Sequence, residues 1–85
     1  MTWAVLITAP ARRDLNRLDP QVAARITQAL RRFAETEQGD VKLLQGKGRE
    51  WRLRVGAWRV IFEFDRQAGT LNVLRVLPRG RAYRD

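Results

Sequence analysis

Arginine recurs at alternate positions through the stretch EWRLRVGAWRVIFEF, Glu50 to Phe64, first as Arg52 and Arg54 and then as Arg59. Between them stand Trp51, Leu53, Val55, Trp58, Val60, Phe62 and Phe64, again at every second position. A strand sends successive side chains to opposite faces, so this alternation separates an apolar face from a cationic one. Gly56 and Ala57 sit midway, and Gly at the first central position suits a two-residue type II′ turn. That turn fixes the register: Val55 opposite Trp58, Arg54 opposite Arg59, Leu53 opposite Val60, Arg52 opposite Ile61 and Trp51 opposite Phe62. Like charges directly opposite one another destabilise a sheet, and a phosphate between them would reverse the sign of that interaction. Guanidinium groups fork onto phosphate oxygens in pairs, which ammonium groups cannot do. The plainer alternative is a solvated polar face, with Glu50 and Glu63 neutralising part of the charge.

More arginine arrives at the end of the chain, where LPRGRAYRD carries Arg79, Arg81, Tyr83 and Arg84. An aromatic ring among arginines can stack a base while its neighbours hold phosphates. Tyr83 is equally compatible with a tail anchor packing on the sheet.

The whole composition has the same bias. Lys+Arg number 17 against nine Asp+Glu, a net charge of +8, and 15 of the 17 are arginine. Such a surplus favours phosphate-rich partners and fast, salt-sensitive association. Arginine used simply for solubility is the competing explanation. There is no Cys and no His. Disulfides and thiolate zinc sites are therefore excluded, and with His go the commonest general base and metal ligand. No metal or cofactor is expected. No apolar run approaches the roughly 20 residues that span a membrane. The start, MTWAVLITAPARRD, lacks the layout of a signal peptide. These features predict a soluble cytoplasmic protein with no membrane partner.

Eighty-five residues make one domain, residues 1–85, with a modest core. TWAVLIT, Thr2 to Thr8, reads as a buried strand. In APARRDLNRL, Pro10 suits a first helical turn, and Ala11, Leu15 and Leu18 recur at helical spacing. A second helix starts with Asp19 as N-cap and Pro20 at its first position, and carries Val22, Ile26, Ala29, Leu30 and Phe33 on one stripe. Gly39 marks its expected stop. VKLLQGKGRE is a short strand followed by a Gly-containing loop that holds Lys47. The two hairpin strands and GTLNVLRVLP complete the set. Both faces of that last strand look apolar, as suits a central position. The face that takes Arg75 depends on the Asp65–Thr70 loop and is left open. Two helices followed by four strand-like segments indicate an α+β fold: a small, mainly antiparallel sheet with an N-terminal helical hairpin packed on one face.

The stretch KLLQGKGREWRLRVGAWRVIF, followed by VLRVLPRGRAYR, resembles the RelE/ParE superfamily of type II toxin–antitoxin toxins. The likeness covers nearly the whole chain, and the motif favours the RelE branch. It implies a RelE-like, microbial ribonuclease-type fold. It also implies an endoribonuclease, needing no metal, that cuts mRNA in the A site of the 70S ribosome and so arrests translation. The reaction would be attack of a ribose 2′-OH on the adjacent phosphate. The family's catalytic positions fall on Arg52 and Arg54, on Arg59 as a phosphate clamp, on Arg79 as proton donor or charge stabiliser, and on Tyr83 as the nucleotide-aligning ring. Arg75, Arg81, Arg84 and Lys47 are expected to add RNA contacts. The implied second partner is a cognate acidic antitoxin, drawn to the +8 surface by charge complementarity.

Two departures bear on the mechanism. Many relatives carry Lys at the hairpin positions and a His just before the C-terminal Arg. Here Arg52 and Arg54 replace the former and Pro78 the latter. Arginine stays protonated, which makes it a poor general base. Glu50 and Glu63 are candidate bases outside the family pattern, and catalysis would otherwise rest on positioning and charge stabilisation. Two other functions suit the same sequence: a ParE-like gyrase-inhibiting toxin, and a catalytically inactive basic module that binds only RNA or antitoxin.

Overall fold

The structure, a computed structural model, describes residues 2–46 and 48–80. In chain order the elements are β1 (Ala4–Ile7), α1 (Ala9–Asn16), α2 (Pro20–Thr36), β2 (Asp40–Leu43), β3 (Trp51–Val55), β4 (Trp58–Asp65) and β5 (Thr70–Pro78). The strands form one sheet in the order β1-β5-β4-β3-β2. Only β1 and β5 run parallel; the other three pairings are antiparallel. This is the α+β arrangement expected from the sequence, with the helices segregated in sequence from the run of four strands.

The helices form where the signals stand. Asp19 Oδ1 accepts a hydrogen bond from Gln21 N at 2.9 Å, so one of the orphan donors at the start of α2 is satisfied. The end of α2 differs from expectation. The chain leaves the helix at Glu37, which takes the left-handed conformation at φ 59 and donates its N–H to Phe33 O at 2.7 Å. Gly39 has another task. A Cβ there would stand 2.9 Å from Leu53 Cδ1, so glycine lets the chain cross close over β3 as it enters β2.

The core lies between the helices and one face of the sheet. Ile26, Leu30 and Phe33 of α2 and Ala11 and Leu15 of α1 pack on Leu53, Val60, Phe62, Leu71, Val73 and Val76. Aromatic rings carry the core toward β1, with Phe33 and Phe62 centroids 5.5 Å apart, Phe62 and Phe64 5.4 Å, and Trp3 and Phe64 4.6 Å. The alternating apolar residues of the hairpin therefore all face the helices, as read from the sequence.

β5 resolves the strand that looked apolar on both faces. A bulge at Ile61/Phe62 shifts the register, so Phe62 faces Val73 while Ile61 faces Arg75. One extra residue on β5 switches the alternation. Leu71, Val73 and Val76 thereby enter the core, while Leu74 and Leu77 pack with Ile61 and Leu44 on the other side.

Candidate functional site

The open face of the sheet is laid out by pairing. Asp40 of β2 lies opposite Arg54 of β3, Arg54 opposite Arg59 of β4, and Arg59 opposite Leu77 of β5. In the next row Lys42 lies opposite Arg52, and Arg52 opposite Ile61. The hairpin register matches the sequence reading pair for pair. The turn also agrees, with Gly56 at φ 59 and Ala57 outside the positive-φ set. Just past the sheet, Arg79 N donates to Ala57 O at 2.8 Å, which ties the exposed Arg79 beside the hairpin turn.

The arginines brought together here differ in their freedom. The Arg54 side chain is 52% exposed, and its Nη1 lies 3.9 Å from Asp40 Oδ2. Arg52 is more tightly held: Nη1 donates to Asp40 Oδ1 at 2.8 Å and to the Asp40 carbonyl at 2.9 Å. Arg59 is 5% exposed, and its Nη1 donates to the carbonyls of Gly56 and Trp58, each at 3.0 Å. It underpins the turn from beneath; the resemblance had implied a phosphate clamp at this position. Arg75 is drawn to the opposite edge. Its Nε and Nη2 donate to the two oxygens of Asp14 at 2.7 and 3.1 Å, so its guanidinium closes the fold, whereas the sequence reading gave it to RNA. Lys47, Arg81, Tyr83 and Arg84 lie outside the described residues.

Two carboxylates organise this charge, and neither was anticipated. The alternative reading of the face named Glu50 and Glu63 as its neutralising groups; the carboxylate found on Arg52 and Arg54 is Asp40. The hydrogen bond from Arg52 holds the Asp40 carboxyl below its ordinary value, and the charges of Arg52, Arg54 and Arg59 add to that. On Asp14, burial alone would raise the value. Hydrogen bonds from Arg75 and Val76 N, with the charges of Arg75 and Arg17, outweigh burial and bring it down. Asp14 carried a readable signal, since Ala11, Asp14, Leu15 and Leu18 share one helical stripe. Asp40 became legible only once the Leu44–Glu50 connection had set the β2–β3 register.

Among the described residues no three carboxylates gather as a metal-ligand set. No helix among them is long and apolar enough to cross a membrane. What the open face offers chemically is fixed positive charge on a rigid sheet, with the Asp40 carboxylate set among its arginines.

The model of the family described as the ParE toxin of type II toxin–antitoxin systems, parDE, matches residues 5–83. No curated protein matches the sequence. Solved structures do. The toxin–antitoxin complex RelBE2 of Mycobacterium tuberculosis contains a chain 27% identical, at TM-score 0.81, over 93% of this chain and all of that one. The archaeal RelE–RelB complex of Pyrococcus horikoshii is similar at 28% identity and TM-score 0.77, over 95% and 99%. A mutant of the Escherichia coli toxin RelE in the free state shares the fold at TM-score 0.80 and 13% identity, over 96% and 88%. The family model carries the ParE description, while these structures carry RelE names, and both lie within one superfamily. The chain belongs to the ParE toxin family of the RelE/ParE superfamily, the toxins of type II toxin–antitoxin systems.

Proposed function

We propose that this toxin is a ribosome-dependent endoribonuclease that cuts mRNA in the A site. The observation that carries the reading is the open sheet face, where Arg52 and Arg54 stand together with Arg79 tied to the turn beside them. The RelE-named relatives, at 27% and 28% identity over nearly the whole chain, support the same branch.

In this reading a ribose 2′-oxygen attacks the neighbouring phosphorus, and the 5′-oxygen of the next nucleotide leaves. Negative charge grows on the phosphoryl oxygens as the bond forms. Arg54 and Arg79 meet that charge directly, and Arg52, held by the Asp40 backbone carbonyl, keeps the field in place. Arg59 acts from below, by holding the turn that carries these groups. Without His, acid–base transfer contributes less than positioning, and the ribosome supplies part of the geometry. Tyr83 remains the proposed nucleotide-aligning ring, with Lys47, Arg81 and Arg84 as further RNA contacts. The proposed setting is the cytoplasm.

A cognate acidic antitoxin is the second proposed partner. The related M. tuberculosis and P. horikoshii chains are both found in complexes with antitoxins. This chain offers a +8 charge and two edge strands, each with an exposed leucine, Leu6 on β1 and Leu43 on β2. An acidic segment with apolar anchors fits such edges.

The ParE description of the matching family, together with the burial of Arg59, favours a second reading: inhibition of DNA gyrase through a protein contact. Induced expression separates the two. The nuclease reading predicts arrest of protein synthesis with intact chromosomes. Filamentation and double-strand breaks while translation continues would overturn it in favour of the gyrase reading.

A further inference from the structure

The carboxylate of Asp40 occupies the position in which an anionic ligand of this face would be held. Its Oδ1 takes the Arg52 Nη1 at 2.8 Å and its Oδ2 faces the Arg54 Nη1 at 3.9 Å, so it bridges two guanidinium groups much as two phosphate oxygens would. It sits on an edge strand of only four residues, and its side chain is 55% exposed. The pairing with Arg54, exposed on both sides, is held weakly against competitors, while the Arg52 side chain is only 13% exposed and holds its half more firmly. A second feature makes the exchange workable. Arg52 also donates to the backbone carbonyl of Asp40 at 2.9 Å. When the carboxylate swings into solvent, that bond still aims Arg52 at the vacated position.

We propose that Asp40 is the resident anion of the arginine face and sets its ligand class: a single-stranded phosphodiester chain displaces it, whereas a lone phosphate does not. A single phosphate regains only the contacts that Asp40 gives up, so the exchange is nearly balanced. A chain of phosphates also reaches Arg79 and releases a counterion at each phosphate it neutralises, which tips the balance. Asp40 thus acts through Arg52 and Arg54 as a specificity-setting residue. The inference deepens the nuclease reading by naming the substrate form, yet its test needs binding only.

The test titrates the purified full chain, and its Asp40→Asn and Asp40→Glu variants, with three probes at one low salt concentration. These are inorganic phosphate, a 2′-O-methyl single-stranded RNA oligonucleotide that cannot be cut, and a poly-glutamate peptide. Thermal unfolding of each variant confirms that the fold is kept. Asp40→Asn removes the charge while leaving the backbone carbonyl, and is expected to tighten oligonucleotide binding about tenfold. It should also give phosphate a measurable affinity that the wild type lacks. Asp40→Glu returns the charge and restores the discrimination. Unchanged or weaker oligonucleotide binding in Asp40→Asn overturns the proposal, as does tightening confined to poly-glutamate, which would make an acidic protein the ligand. If the binding pattern holds while the wild type leaves ribosome-bound mRNA intact, the nuclease reading falls and this assignment stands.

Discussion

Two aspartates clasp arginines at opposite edges of the sheet, and the contrast between them separates what holds this fold from what its surface can exchange. Asp14 lies where β1 has ended and the flank of β5 would be left unpaired. Its side chain is 9% exposed, it binds the Arg75 fork, and its Oδ2 also accepts Val76 N at 2.9 Å. That last bond replaces the partner Val76 lacks on the β1 side, where β1 pairing ends at Val73, and a buried N–H without a partner is costly. Asp40 has the same chemistry in water. Among the described residues it accepts from no backbone donor, and solvent screens its 3.9 Å pair with Arg54. The Asp14 clasp is part of the sheet; the Asp40 clasp is a contact that a ligand can replace.

Substitutions test that division. Asp14→Ala is expected to cost the most, about 2–3 kcal/mol of unfolding free energy, because it strands Val76 N and frees Arg75. Equilibrium urea unfolding reads this, and a loss below about 0.5 kcal/mol would put Asp14 on the same footing as Asp40. Arg59→Ala comes next at about 1–2 kcal/mol, since two turn carbonyls lose their donor. It should reduce toxicity only together with stability. Asp19→Ala removes the α2 cap bond and should cost about 1 kcal/mol with toxicity unchanged once the protein is folded.

Acid sharpens the comparison. The folded-state value of Asp14 lies below the ordinary 3.8. Its contribution is therefore complete above that value and is lost as pH falls through the lower folded value. Wild type should lose stability in that window, and Asp14→Asn should lose less there. The smallest structural effects belong to the exposed groups. Asp40→Asn should leave the unfolding midpoint near wild type, and Arg79→Ala should abolish toxicity with the fold and antitoxin binding intact. An Arg79→Ala protein that stays fully toxic would remove that residue from the site.

The hairpin was legible because its two periodicities agree. Apolar residues at every second position, with Gly56 at the turn, leave one register, and a slip by one residue would bury Arg52 and Arg54. The helices were legible from Asp19, Pro20 and their stripes. The bulge in β5 was not, since Leu71 to Leu77 offers apolar side chains to both faces and only packing against Ile61 and Phe62 decides between them. The end of α2 was misplaced because Gly39, read as its stop, instead serves the close approach to Leu53, while Glu37 takes the left-handed cap. The resemblance implied a clamp at Arg59, but its depth is set by the turn carbonyls within its reach. Charge was legible in amount; which carboxylate meets which arginine followed from the β2–β3 register, for which the sequence carries no turn signal like that of the hairpin.

The central claim is that the open arginine face works on RNA held by the ribosome. Its most direct measurement adds the purified chain to ribosomes paused on a defined mRNA and maps the new 5′ ends by primer extension. The account predicts cuts within the A-site codon that depend on the ribosome and vanish with Arg79→Ala. An mRNA that stays whole at concentrations where the same preparation blocks DNA supercoiling by gyrase would contradict it.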